Sequence, residues 1–358
     1  MRYYDLVISN SSGQVYKPNS SGGFTLGNGG STFTSFVNGK TDPGALQIEF
    51  DIPVVPYNTP QGGSLIRVWG IGLQMIGQAS NLNGTKFVLS AGMQKGLPLA
   101  TATLSQGQAG IIAQGSVYQA YGNWEGVNQT LDLICNPSNI DPPLGISFSW
   151  PLSTPLTTAL STALSAAYPK YKIDTTGMLP SLYPNSSQWG ACYPTLAAFA
   201  QYLQGYTKPL GAQSTGNAAY QGVLLSIVGS TIFATDGTQS PRIVNIAFQD
   251  LVGQPTWIGP NTVTFKTVLR SDISLQTKIK FPSGIIAPYA LTNQAAAVPN
   301  APARSKSVFQ NYFTVLEVHH YANYRQPSAE AWNTTFTAVG TLPSPPPNVS
   351  LLNSSLGF

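Results

Sequence analysis

The sequence predicts a mainly β protein of the α+β class, with two β-units flanking a small helical segment. Three observations predict it. Apolar and polar residues alternate cleanly in places: over Ala45–Val55, Leu46, Ile48, Phe50 and Ile52 fall on one face and Gln47, Glu49 and Asp51 on the other, the period of a half-buried strand. The 35 Gly and 28 Pro punctuate the chain closely, which favours short strands and turns over long helices. Helical periodicity is confined to residues 150–212.

The elements follow in order. Met1–Ile8 reads as a strand, and Ser9–Gly30 as a loop-rich excursion with Asn-Ser-Ser-Gly and Gly-Asn-Gly-Gly turns. Asp42-Pro43-Gly44 is a turn before the alternating strand, with Pro setting φ and Gly accepting an unusual conformation. Ser64–Gln78 continues the strand pattern, and Asn81-Leu82-Asn83-Gly84 is a turn carrying the Asn-Gly hairpin signal. Lys86–Ala91 is a further strand. Gln108–Tyr121 gives two short ones around Gly115, and Thr130–Cys135 gives another. Thr154-Pro155 then reads as an N-cap and first helical position. Leu156, Leu160 and Leu164 form the apolar stripe, with Ala163 and Ala167 beside them, and Tyr168-Pro169 ends the helix. A second helix spans Pro194–Gln204 on Leu196, Phe199 and Leu203, with Gly205 as its C-cap. Strand signals return at Gly222–Val228, Ser230–Ala234, Arg242–Phe248, Thr262–Leu269, Lys278–Phe281 and Phe309–Tyr321. Pro288–Ser305 is an Ala/Pro-rich loop. The expected organisation is a β-domain over 1–149, a helical insertion over 150–212, a second β-domain over 213–340 and an extended Pro-rich tail over 341–358. No exact repeat relates the two β-units.

Charge excludes several functions. Only 8% of the 358 residues are charged, 17 basic and 13 acidic, for a net charge of +4, against roughly 25% in an average soluble domain. No Lys/Arg cluster marks a nucleic-acid-binding surface, and no coiled-coil heptads are present. Ser, Thr, Asn and Gln fill the surface instead. A neutral surface of this kind suits a secreted sugar-binding β-protein or a large assembly, because interface cores are depleted in charge. No run of 18 apolar residues predicts a membrane span, and the N-terminal Met1-Arg2-Tyr3-Tyr4-Asp5 does not read as a signal peptide. Cys135 and Cys192 are expected to be free, buried thiols.

Catalytic and metal-binding constellations are missing from the sequence. There is no Gly-x-Ser-x-Gly. Zinc needs clustered His and Cys, but the two cysteines are far apart, and the two histidines, His319 and His320, are adjacent on an expected strand and point to opposite faces. No Asp-x-Asp-x-Asp calcium loop occurs. Gly39-Lys40-Thr41 ends like a phosphate loop, but position 34 is Thr where that loop needs Gly, so it reads as a turn. Among the acids, Glu317 beside the two histidines is the best candidate for a perturbed carboxyl, with a salt bridge or solvated strand face as the plain alternative. No catalytic residue, metal or cofactor is expected. The 6 Trp and 17 Tyr keep a carbohydrate-binding or carbohydrate-active β-protein as the alternative reading.

Four stretches together carry a family resemblance. They are Leu65-Ile66-Arg67-Val68-Trp69-Gly70, running on to Asn81–Gly84 and Ala91–Ala100; Gly122-Asn123-Trp124-Glu125-Gly126 with Leu131-Asp132-Leu133; Leu251–Ile258 with Val268–Ile273; and Val318–Tyr321 through Arg325-Gln326 to Trp332–Phe336. The chain resembles the baseplate hub subunits of contractile-tailed bacteriophages over most of residues 45–135 and 220–340. The resemblance implies two tube-like antiparallel β-barrel domains per chain and a homotrimeric ring that adapts a sixfold tail tube to a threefold spike. It also implies other baseplate proteins as partners, a channel that passes DNA without specific binding, and no membrane insertion. Such a protein belongs to the virion and is assembled in the host bacterial cytoplasm. Three expectations about surfaces follow. The channel should be neutral or mildly acidic, because dense Lys/Arg would hold phosphates. The excursion Asn19–Gly30, with Phe24 and Leu26, is long enough to lap onto a neighbour. The tail after Pro347 offers Leu351, Leu352, Leu356 and Phe358 to a partner.

Overall fold

The computed structural model describes residues 2–56, 63–93, 108–136, 145–179, 183, 189–215, 220–228, 231–239, 243–259, 262–282, 309 and 312–340. The first β-unit contains β1 (Arg2–Ser9), β2 (Val15–Pro18), β3 (Phe24–Gly27), β4 (Phe33–Thr34), β5 (Phe36–Val37), β6 (Lys40–Thr41), β7 (Gln47–Val54) and β8 (Ser64–Trp69). It continues with α1 (Leu73–Gln78), β9 (Lys86–Met93), β10 (Gly110–Glu125) and β11 (Asn128–Asn136). The middle segment contains β12 (Ile146–Trp150), α2 (Leu156–Ala167), β13 (Lys172–Gly177), β14 (Trp189–Tyr193), α3 (Leu196–Thr215), β15 (Leu224–Val228) and β16 (Thr231–Thr235). The second β-unit contains β17 (Ile243–Asn245), β18 (Thr256–Trp257), β19 (Thr262–Val268), β20 (Lys278–Lys280), β21 (Tyr312–Asn323) and β22 (Trp332–Gly340). The chain is mainly β.

One hydrogen-bonded sheet runs through both β-units in the order β18-β19-β22-β21-β7-β8-β11-β10-β9-β1-β2-β3, with β20 on β21, β17 on β20 and β4 on β1. The units meet where β21 pairs antiparallel with β7, from Val318↔Val54 to Asn323↔Glu49. On β7 the expected face is the buried one: Ile48, Phe50 and Ile52 lie in the core.

The two units repeat one strand arrangement. In the first, β8 pairs with β11, β11 with β10 and β10 with β9. In the second, β19 pairs with β22, β22 with β21 and β21 with β20. The match reaches single residues. Gly84 N donates to Val117 O and Val117 N to Thr85 O, both at 2.8 Å, while Gln276 N donates to Val315 O at 2.8 Å and Val315 N to Thr277 O at 3.0 Å. Each valine precedes a register shift, Val117/Gln119 in β10 and Val315/Glu317 in β21. Gly84 and Gln276 both hold positive φ, 74° and 63°, so the turn geometry recurs even where a side chain disfavours it.

The structure departs from expectation at several elements. Ser64–Gln78 is not all strand: Gly70 breaks it at φ 81° and Leu73–Gln78 is helical. The Asn-Gly turn forms, but β8 and β9 are not hairpin partners, because β11 and β10 lie between them. Gly115 does not divide two strands, since β10 is one strand of 16 residues with bulges. Thr154 does not cap α2: Pro155 holds the cap position and Leu156 opens the helix, within the usual one-residue ambiguity of helix ends. Gly205 does not end α3, which runs on to Thr215 through Pro209. There Thr207 and Gly211 are buried, and Thr207 Oγ1 donates back to Leu203 O at 2.7 Å.

The middle segment has its own core. Ile146, Phe148 and Trp150 from β12 pack with the α2 stripe and with Leu196, Phe199 and Leu203 of α3. Leu225, Ile232 and Ala234 join the same core. Strands β15 and β16, expected in the second β-unit, therefore pack with the helices, and β13 pairs parallel to β16. Their buried side chains belong to the same core as the helices. Among the described residues no helix is long and apolar enough to cross a membrane.

Candidate assembly surfaces

The outward face of the sheet carries rows of polar side chains. Residues directly opposite each other on adjacent strands share a face, so the registers assign its members. Asp132, Arg67, Glu49 and Asn323 form one row across β11, β8, β7 and β21; Ile134, Leu65, Asp51 and Tyr321 form the next. Arg67 grips Asp132 with two bonds, Nε to Oδ1 at 2.6 Å and Nη2 to Oδ2 at 2.9 Å. Asn123 Nδ2 donates to Asp132 Oδ2 at 2.9 Å. The hydrogen bond to Asp132 raises the Arg67 pKa against a smaller opposing effect of burial. Asn323 donates to Glu49, and Gln47 Nε2 donates to Asn323 Oδ1 at 2.5 Å. His319 meets Asp51 across the β21–β7 pair. Across β11, β8, β7, β21, β22 and β19 this face carries Glu49, Asp51, Asp132 and Glu317 against Arg67 and Lys266, so acid exceeds base.

A depression on this face, lined by Arg67, Trp69, Asn123, Glu125, Asn128, Thr130 and Asp132, holds about 50 Å³. That is room for one or two waters, and Asp132 is committed to Arg67 and Asn123. No group of three or more His, Cys, Asp or Glu able to hold a metal occurs among the described residues.

Beneath the face, the two units are joined by a buried polar string. Arg270 is 1% exposed. Its Nε and Nη2 donate to Asp272 at 2.6 and 2.7 Å, and its Nη1 donates to Asp250 Oδ2 at 3.2 Å. Burial works against the guanidinium charge, but the hydrogen bonds and fields of Asp272 and Asp250 outweigh it and raise the pKa. Gln108 Nε2, at the base of β10, donates to Asp250 Oδ1 at 3.0 Å. Arg270 N donates to Thr334 Oγ1 at 3.2 Å, and the same hydroxyl lies 3.0 Å from His320 Nδ1. The chain terminus adds a second clasp. Arg2 donates to the carbonyls of Asn323 and Tyr324 at 3.0 and 3.1 Å, and the Tyr4 ring meets Tyr324 edge-on at 5.0 Å.

The expected site residues distribute unevenly. Phe24 does not offer itself to a neighbour: it is buried in the first unit's core, where Phe24 N donates to Gln78 Oε1 at 2.6 Å. The excursion is a β2–β3 hairpin folded back on α1, with Met75 N bonded to Gly22 O. Leu26, on the same hairpin, is exposed. Leu351, Leu352, Leu356 and Phe358 lie outside the described residues. Glu317 is exposed opposite Thr337. Cys135 is buried, but Cys192 is exposed. It sits on the outward side of β14 opposite Ser147, because the inward side of the β12–β14 pair belongs to Phe148, Trp150 and Trp189. The Arg270 cluster was not singled out from sequence. Its only local signal is Arg-Ser-Asp after a strand, and its partners Gln108 and Asp250 are remote.

The adjacent histidines divide as expected, His319 exposed and His320 buried. Burial, aided by the neighbouring His319, pushes His320 down to a pKa of about 3. The unfolded chain takes up a proton below about 6.5 and the native fold does not. Stability therefore falls as pH drops from about 6.5 toward 3, by about 2 kcal/mol between pH 7 and pH 5 from this residue. The change in unfolding free energy between the two pH values, from urea melts, is expected to differ by that amount between the natural chain and His320→Gln. Parallel pH dependence in the two proteins would refute the assignment.

No protein-family model matches the chain, and no curated protein matches it. Among solved structures, the 43 kDa tail protein of prophage MuSo2 from Shewanella oneidensis aligns over 94% of this chain and 97% of its own at 8% identity, with a TM-score of 0.46. The tail protein from Neisseria meningitidis MC58 aligns over 94% and 96% at 8% identity, with a TM-score of 0.45. The Escherichia coli c3393 protein aligns over 82% and 73% at 10% identity, with a TM-score of 0.44. It is described as a component of the type VI secretion system with structural similarity to the T4 bacteriophage tail proteins gp27 and gp5.

Proposed function

We propose that this chain is a structural hub subunit of a contractile-tail baseplate, three copies of which form a ring between the tail tube and the central spike. The observation that carries the proposal is the repeat: one chain contains the β8–β11 arrangement and again the β19–β22 arrangement, joined through β7 and β21. Three chains with two such units each present six similar units. That converts threefold into sixfold symmetry, as a tube-to-spike adaptor requires. Each unit is read as a tube-like domain, the segment between them as an insertion, and the tail over 341–358 as a partner-binding arm.

The outward face supports a channel role. Acid exceeds base on β11, β8, β7, β21, β22 and β19, the strands around the seam between the units, where a passing polyanion meets few cations that would retain it; Lys278 and Lys280 on β20 lie beside them. The tube protein, spike protein and other baseplate components are the partners in this reading, and the virion is its location. No step of it calls for catalysis.

The test is the mass of the purified protein by light scattering across a hundredfold range of concentration. The expected result is a constant mass three times the 37.9 kDa of one chain. A monomer at every concentration would sink the reading.

A further inference from the structure

The repeat shows which strand edge of this chain is left open, and which strand fills the same edge within the chain. Val117 corresponds to Val315, so residues 119–125 of β10 correspond to 317–323 of β21. β21 has two partners along one edge. Its first residues pair with β20, and from Val318 to Asn323 it pairs with β7. β10 pairs with β9 from Gly110 to Ser116. From Gln119 to Glu125 that edge carries no strand among the described residues. The one hydrogen bond there is from Ala120 N to Asn83 Oδ1, at 2.8 Å.

The counterpart of β7 in the second unit is β18. β7 forms a ladder with β8, and β18 forms one with β19. Since β8–β11 matches β19–β22, Ile66↔Leu133 corresponds to Phe265↔Phe336. The register then places Thr256 where Asp51 stands and Trp257 where Ile52 stands. Among the described residues β18 ends the sheet, with nothing paired on its far side. Both orphan edges carry exposed apolar side chains: Trp257 and Ile258 are 41% and 58% exposed, and Tyr121 and Trp124 are 43% and 61% exposed. An open edge with apolar side chains is a template for strand addition.

We infer that β18 of one copy adds antiparallel to the 119–125 edge of β10 in a second copy, as β7 adds to β21 within a copy. The partner is thus a second copy of this chain, and the contact is head-to-tail, the kind that closes a ring. Copying the internal register, Tyr321↔Asp51 and His320↔Ile52, sets Asn123 opposite Thr256 and Gly122 opposite Trp257 across the interface. The inference rests on the ring reading and names its contact.

The experiment is site-directed disulfide formation in a Cys192→Ser background. Directly opposed residues in an antiparallel pair have Cα atoms about 4.5–5.5 Å apart, inside the range a disulfide spans. The Asn123→Cys/Thr256→Cys protein is expected to yield covalent oligomers up to a closed trimer on non-reducing gels. Either single variant is expected to yield none. The register-shifted pair Asn123→Cys/Ile258→Cys is expected to cross-link at least tenfold more slowly. Reduced proteins must match the background in urea midpoint, which separates lost contact from lost fold. A trimer by light scattering without cross-linking would overturn this contact and leave the ring standing. Equal cross-linking by both pairs would overturn the register. A monomer throughout would overturn both the contact and the ring.

Discussion

Replacing Arg270 with Met is expected to destabilise the chain by about 3–5 kcal/mol, the usual cost of removing one partner from a buried ion cluster. The argument is one of orphaned charge. Asp272 and Asp250 receive Arg270 at 2.6 and 3.2 Å, and Asp250 is also held by Gln108. Without the guanidinium, two carboxylates remain in a site where Arg270 itself is 1% exposed. They must either take up protons or draw in water, and either response costs stability. Arg270→Lys keeps the charge but lacks the planar fork that binds Asp272 through two nitrogens, so it should fall between. The decisive comparison is Arg270→Met combined with Asp250→Asn and Asp272→Asn. Removing all the charges together is expected to recover much of the loss. The readout is the urea midpoint of each protein at pH 7. A loss under 1 kcal/mol in Arg270→Met would show that water already serves these carboxylates.

That cluster also marks where sequence reading ends. Period-2 alternation was legible wherever one strand face met the core and the other met water, as on β7. The α2 stripe was legible for the same reason, with Leu156, Leu160 and Leu164 all buried. Elements that break their own period were misread. Two register shifts split β10 into apparent short strands. α1 has six residues and no side-chain cap, so nothing local announces it. β15 and β16 look like any other strands; their place beside the helices follows from long-range packing.

The candidate surfaces were less legible still. Phe24 and Leu26, two residues apart on β3, share one strand face, and only the fold tells that Phe24 is covered and Leu26 is not. Trp124 reads as core by type, yet it stands near a hairpin tip with Nε1 donating to Gly126 O at 2.8 Å. An open edge is a property of pairing and leaves no mark on composition. Two β-units were expected, but their residue-by-residue match was invisible for a related reason. Its matched positions, such as Gly84 and Gln276 or Ile66 and Phe265, share geometry without sharing identity.

Trp332 offers the second large effect, because it belongs to one unit by chain and to the other by packing. It opens β22 of the second unit, yet it is 2% exposed within the first unit's core. Its ring centroid lies 5.8 Å from Phe50 and 5.9 Å from Tyr324, both edge-on. The Arg2 guanidinium sits over it at 5.6 Å, and Nε1 donates to Gly92 O at 3.2 Å. Trp332→Ala removes this volume from a packed site and is expected to cost about 3–5 kcal/mol. The loss should fall on both β-units, since Leu269 N also bonds Trp332 O at 3.1 Å and the β21–β7 ladder runs beside it. The middle segment has a separate core, and its unfolding should not move. Hydrogen exchange at increasing urea resolves the three regions. Protection of β7, β8, β21 and β22 is expected to fall together in Trp332→Ala, while α2 and α3 keep theirs. If only the first unit loosened, the continuous sheet would not be transmitting stability between the units. The two units would then be independent in stability although one sheet runs through both.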